Sequence, residues 1–335
     1  MTHDTCGMVT HKVLGGFEMA DVSIYGIDHG NGNMKMEHAE AFPCGIVRQN
    51  IEPVVFGNME YIKYEDAFYM LTDRRMPYKA DKSTDLDYFI LTLFALVHEA
   101  KARKEKLTGK DIVLSIGLPP ADFATQAKSF RNYFLERNKN GVNFELNGKK
   151  VSFYIKDVII TPQNYAAVIS QKPDLLRDFS TVFCIDIGDG TVDLLVMHKA
   201  QPDLSIRVSN KTGMAVLRAN IINGIQQNFG YQLTSEDVET VLLGKRSVLD
   251  EKVITYIKEQ ADRWTTHIVN ELHTHVADFR TNPTILLGGG SILLRPYLEK
   301  SDAFNYIEFI EDINANAVGY AAIAHAKLGG KKHDR

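Results

Sequence analysis

Two short runs of aspartate, glycine and amide residues have the makeup of phosphate grips. The first reads Asp28-His29-Gly30-Asn31-Gly32-Asn33-Met34-Lys35, the second Asp186-Ile187-Gly188-Asp189-Gly190-Thr191-Val192-Asp193. Glycine permits positive φ and places no Cβ between successive amide N–H groups and an anion, so such a run can surround phosphate oxygens with backbone donors. Lys35 adds a point charge to the first. A third cluster, Gly288-Gly289-Gly290-Ser291, separates a short apolar stretch from a helix-like one. Bare backbone there can face a flat ring, and a helix N-terminus favours anionic groups nearby. Any one of these runs is equally what an ordinary tight turn looks like. Two of one design, one in each half of the chain, suggest a phosphate-bearing ligand clamped between two related domains.

The surrounding elements must place these turns. Each aspartate closes a run rich in β-branched residues, over 22–27 and 181–185, and each loop leads into another strand-like stretch, so both are expected to be hairpin turns. Residues 85–106 read as a helix, with Leu86, Phe89, Ile90, Leu93, Leu96 and Val97 at helical spacing and Ser83 or Thr84 as its cap. A buried strand is expected over 111–118, a helix over 122–134, a hairpin arm over 142–146 between two Asn-Gly pairs, and a strand over 151–160. The second half adds a strand over 204–209 and a helix over 214–229 that stops at Gly230. A capped helix start follows at Thr234, with Asp237 three residues on. The longest helix is expected over 249–279, with Val253, Ile257, Ala261, Trp264, Ile268, Leu272 and Val276 as one core-facing stripe. On it, His267, Glu271 and His275 have the spacing to approach one metal ion, although exposed His and Glu on a long helix ordinarily face water. The closing helix is expected over 314–327.

Composition narrows the classes. The 335 residues are 44% hydrophobic and 24% charged, as in a globular protein with room for two domains. A net charge of -4 supplies no general attraction for nucleic acid, and no apolar run nears the roughly 20 residues that span a bilayer. Cys6, Cys44 and Cys184 form no C-x-x-C pair, which argues against a disulfide framework or zinc site and for a reducing cytoplasm. Residues 1–19 have no apolar core of a secretory signal and are read as a flexible leader.

Taken in order, Asp-x-Gly-x-x-Asn-x-Lys, then Asp-x-Gly-x-Gly-Thr-x-Asp, then a strand, Gly-Gly-Gly-Ser and a helix resemble the two phosphate motifs and the adenosine motif of the actin, sugar kinase and heat-shock ATPase superfamily. The Asp28-to-Lys35 pattern and the strand end Ser115-Ile116-Gly117-Leu118-Pro119 look most like the bacterial actin-like plasmid segregation ATPases of the ParM/StbA family. The resemblance implies an α/β fold of two actin-like (ribonuclease H-like) domains with a nucleotide cleft between them. Domain I would span 20–181 with an insertion at about 43–105, and domain II 182–330, with the closing helix packing back on domain I and a solvated tail over 328–335.

The same resemblance assigns roles. Gly30, Asn31, Gly32, Asn33 and Lys35 would hold the β- and γ-phosphates, and Gly188, Asp189, Gly190 and Thr191 would grip from the other domain. Gly288, Gly289, Gly290 and Ser291 would face the base. Asp28 and Asp186 would hold Mg²⁺ through water, and Gln163, where actin also carries glutamine, would orient the attacking water, with capping of the next helix as its structural alternative. Asp189 stands where a glycine is expected and brings a carboxylate beside the phosphates. ATP, with GTP as an alternative, and Mg²⁺ would be the cofactors. Partners would be copies of the chain itself in a filament and a DNA-binding centromere adaptor, without direct nucleic-acid or membrane binding. The rival readings are a small-molecule kinase and a non-polymerising nucleotide-binding protein of the same superfamily.

Overall fold

The computed structural model describes residues 22–329, and both the expected leader and the tail beyond 329 lie outside the described residues. Two sheets carry the chain. In the first, strand Val22–His29 pairs antiparallel with Asn33–Met36 and parallel with Asp111–Leu118, which in turn pairs parallel with Lys149–Pro162. In the second, Thr181–Ile187 pairs antiparallel with Val192–His198 and parallel with Thr284–Leu287. Each sheet therefore repeats one plan, a hairpin beside a parallel strand. These parallel strands are almost wholly buried, as strands covered by helices on both faces are.

The first sheet is extended by the region read as an insertion. Lys149–Pro162 runs on past the parallel core, pairs with Val142–Leu146 through a turn at Asn147 and Gly148, and so joins Tyr61–Tyr64, Ala67–Leu71 and Ile46–Gln49 to the sheet. Helices Tyr165–Gln171 and Pro173–Asp178 contribute Ala167, Val168, Leu175 and Leu176 to a cluster with Cys184, Leu195 and Ile285, so they pack with the second sheet.

Several element readings change in detail. Helix Asp87–Ala102 follows Leu86 without a side-chain cap, since the Ser83 amide and hydroxyl both turn back to Asp81. At its other end Lys104 takes positive φ, which stops the helix before the basic run is used up. The longest helix is Glu251–His273, and Thr274 ends it before His275. His267 lies 3.7 Å from Glu271, both are exposed, and among the described residues the group spaced for a metal is instead Glu37, His38 and Glu99. There the buried Glu99 carboxylate already accepts from His38, Ala39 and Arg103, so it is satisfied without an ion. The expected capping box at Thr234 and Asp237 is formed.

The closing helix, Ala315–Gly329, ties the halves together. Ala321 and Ala324 pack on Ile24, Val113 and Ile159 of the first sheet, and the Ser115 hydroxyl donates to the Tyr320 carbonyl at 2.8 Å. The same helix lies against Tyr165–Gln171, so closely at Gly319 that a Cβ there would strike the Ala166 carbonyl. Among the described residues no helix is long and apolar enough to cross a membrane.

Candidate active site

The two hairpin turns face each other across a cavity of about 330 Å³, with the third glycine cluster on the same wall as the second turn. Asp28 ends its strand almost fully buried. One of its oxygens accepts from Gln163 Nε2 at 3.0 Å and the other from Lys35 Nζ at 3.5 Å. Lys35 reaches it from the directly paired position on the next strand. Burial works against the Lys35 charge, but Asp28 and Asp186 together outweigh it and hold its pKa above the ordinary lysine value. Below the loop, the buried Cys44 thiol donates to the Gly30 carbonyl at 3.0 Å, and burial pushes its pKa up to about 12, so it supports the turn as an inert group.

In the second turn the Gly188 amide donates to the Thr191 carbonyl at 2.9 Å, and the Thr191 hydroxyl donates to Asp193 at 2.8 Å. Burial, and the neighbouring Asp193 and Asp28, push the Asp186 carboxyl up to about 7, with Lys35 and a hydrogen bond to Asn316 pulling the other way. Burial likewise lifts Asp193 to about 6. Gly288, at φ 85°, lies so close to the Asp186 carboxylate that a Cβ there would overlap it. Gly288, Gly289 and Gly290 line the cavity, whereas Ser291 is buried behind them, its hydroxyl donating to the Gly288 carbonyl at 2.8 Å.

Asp189 is not left unpaired on the cavity wall. Its carboxylate pairs with the buried Arg218, which also holds Glu239 at 3.1 Å, and lies 3.9 Å from Arg75 of the first half. Arg75 Nε also donates to the Gly32 carbonyl at 3.2 Å, so one arginine joins both turns. A Cβ on Gly32 would come within 2.8 Å of the Asp189 Cβ, so the turns touch.

Gln163 follows Pro162, the end of the long first-sheet strand. It does not cap the next helix. Asn164 occupies that position at φ 67° and ψ −49°, and the Tyr165 amide donates to the Gln163 carbonyl at 2.7 Å, closing a γ-turn of the strained, positive-φ kind. The turn is fixed by Asn316, whose Oδ1 accepts from the Asn164 amide at 3.0 Å. The Asn164 side chain is buried with neither polar atom bonded.

All the predicted loop residues except Ser291 therefore line one cavity with Asp28, Asp186 and Gln163. Sequence reasoning missed Arg75, Lys82, Arg218 and Asn316, which also line it and whose positions are set by tertiary packing. Asp28, Asp186 and Asp193 offer only oxygen donors and do not form a group with ligand atoms within 4.8 Å of one another. Such a set suits a hydrated Mg²⁺ held through water better than direct coordination.

Paired hairpin turns on two sheets of one plan, closing on a cavity edged by two strand-end aspartates, define the two-domain class that contains actin, sugar kinases and heat-shock ATPases. Within that class the chain is an actin-like protein in both halves. Residues 26–165 match the model of the actin like proteins N terminal domain, and residues 184–300 that of the archaeal actin homologue MreB-like C-terminal domain. No curated protein matches the chain by sequence. Among solved structures it is similar to the archaeal actin homologue Ta0583, with TM-score 0.73 and 18% identity over 91% of this chain and 99% of that one. It is similar to the apo psk41 ParM protein, with TM-score 0.69 and 14% identity over 94% and 100%. A 15-stranded ParM filament from Clostridium botulinum follows, with TM-score 0.72 and 17% identity over 91% and 99%. These likenesses establish the actin-like fold.

Proposed function

We propose that the protein is an ATPase that forms actin-like filaments and drives plasmid segregation in the cytoplasm. The observation that carries this reading is the single cavity into which both glycine turns, Lys35, Asp28, Asp186 and Gln163 converge. Among its structural relatives, Ta0583 has been solved in complex with ADP, a Bacillus thuringiensis ParM with ATP, and Alp12 as a filament. In this chain, amides of residues 30–33 and 188–191 bind the phosphates from opposite domains, so the ligand itself becomes part of the domain interface. Asp28 and Asp186 would hold a hydrated Mg²⁺, which would neutralise charge on the phosphates.

Gln163 orients the attacking water. Its amide donates to Asp28, which ties the proposed water-orienting side chain to the strand-end aspartate. A neutral amide aligns water but is a poor base, which makes turnover slow and leaves a subunit time to assemble before it hydrolyses. Closed subunits would polymerise, and hydrolysis would loosen their contacts. A DNA-binding adaptor would link the filament to the plasmid, since a net charge of -4 gives the chain itself little attraction for DNA.

Light scattering and sedimentation with ATP, ADP and a slowly hydrolysed analogue test the proposal. Polymer that forms with ATP or the analogue and decays as phosphate is released is expected. A protein that binds ATP yet stays monomeric at tens of micromolar sinks the filament reading. Gln163→Ala is expected to keep ATP affinity and lose about 10- to 100-fold in phosphate release; unchanged release removes Gln163 from the mechanism.

A further inference from the structure

Lys82 lies between strand Ala67–Leu71 and helix Asp87–Ala102, in a segment with no motif of its own. It is only 5% exposed and lines the cavity. Its ammonium donates to the carbonyl of His29, the residue next to Asp28 and immediately before the first glycine turn, and stands 5.4 Å from the centre of the Tyr88 ring. No carboxylate pairs with it among the described residues; Asp28, Asp193 and Asp122 act on it only across space. Lys35, the lysine of the motif, is by contrast already in contact with Asp28.

A buried ammonium without a counter-ion is costly, and one carbonyl and one ring leave most of its bonding capacity unused. Burial accordingly pulls its pKa down. Its carbonyl partner, His29, is the neighbour of Asp28, to which Gln163 donates, and the group that would complete its bonding is an anion. We infer that Lys82 binds the terminal phosphate of a nucleoside triphosphate and is the residue by which the cleft distinguishes triphosphate from diphosphate. The inference rests on the nucleotide reading above and adds to it. The glycine turns also reach the phosphates and Lys35 already has Asp28 as its partner, whereas Lys82 gains a counter-ion only from the group that hydrolysis removes. Loss of that group returns a buried charge to the unpaired state, so phosphate release weakens the closed cleft from within.

The test is calorimetric binding of Mg·ATP and Mg·ADP to wild type, Lys82→Met and Lys82→Gln. The Gln variant keeps a donor for the His29 carbonyl while removing the charge. Both variants are expected to bind ADP as wild type does and to bind ATP about 10- to 100-fold more weakly, erasing the preference for triphosphate. ADP binding doubles as the check on folding. Equal weakening of both nucleotides, or an ATP preference retained by either variant, overturns the assignment while leaving wild-type nucleotide binding intact. Wild type that binds neither nucleotide overturns the nucleotide reading and this inference with it.

Discussion

His29, Asp186 and Asp193 pull the acid–base behaviour of the cleft in opposite directions. His29 is buried among Tyr88, Phe130 and Phe134, and burial, aided by the Lys82 charge, lowers its pKa to about 3. The Thr92 hydroxyl is spent on the Tyr88 carbonyl, so His29 Nε2 donates to the Thr92 oxygen at 2.7 Å and the ring is neutral. A histidine held neutral stabilises the fold above its ordinary pKa of 6.5, and that contribution is lost as pH falls from there towards 3. The raised Asp186 and Asp193 do the reverse: their contribution is complete below 3.8 and is lost as pH rises through about 6 to 7. Two carboxyls against one imidazole should therefore leave ligand-free wild type with a somewhat higher urea midpoint at pH 5 than at pH 7. An Asp186→Asn, Asp193→Asn double variant should lose stability on acidification, at on the order of 1 kcal/mol per pH unit. Of these groups the sequence discloses the aspartates, because glycine spacing marks them. It does not disclose His29 as buried or Lys82 as unpaired, since their surroundings come from helices far along the chain.

The γ-turn at Asn164 is a strained connection between two well-packed elements. A positive φ in a residue with a Cβ costs on the order of 1–3 kcal/mol and persists where neighbours fix it, here the Asn316 side chain. Asn164→Gly should raise thermal stability by about 1 kcal/mol, whereas Asn164→Val should destabilise by more than that gain. Calorimetric melting of the three proteins decides it, and equal midpoints would mean the turn is unstrained. At Gly319 the opposite constraint holds, since the Ala166 backbone leaves no room for a side chain. Gly319→Val is expected to cost about 2–3 kcal/mol in chemical denaturation. Helix 214–229 and the Thr234 box follow from local signals, a glycine stop and a hydroxyl–carboxylate pair, and occur as read. The Ser83 or Thr84 cap fails because Asp81, two residues earlier, captures the Ser83 groups first. Likewise the helix after the third glycine cluster breaks at Leu294, ahead of Pro296, into two short pieces.

In the molecule as a whole, Arg75 joins the halves at the mouth of the cleft through Asp189 and Gly32. The Arg75–Asp189 pair is partly exposed and worth about 0.5 kcal/mol. Even so, Arg75→Ala should widen the ligand-free protein detectably in small-angle X-ray scattering, and added ATP should restore the wild-type profile; an unchanged radius of gyration would show that the closing helix alone sets the angle. That two-sheet plan was readable from the order of the glycine motifs, but the angle between sheets depends on side chains such as Arg75 and Asn316 that carry no motif. The closing helix has a further consequence, for synthesis. Its Tyr320 carbonyl meets Ser115 across 205 residues of chain, and Ile24, Val113 and Ile159 stay bare until Ala321 and Ala324 arrive. The first sheet, although made first, therefore cannot complete its packing until almost the whole described chain has left the ribosome, and half-length fragments are poor candidates for independent folding.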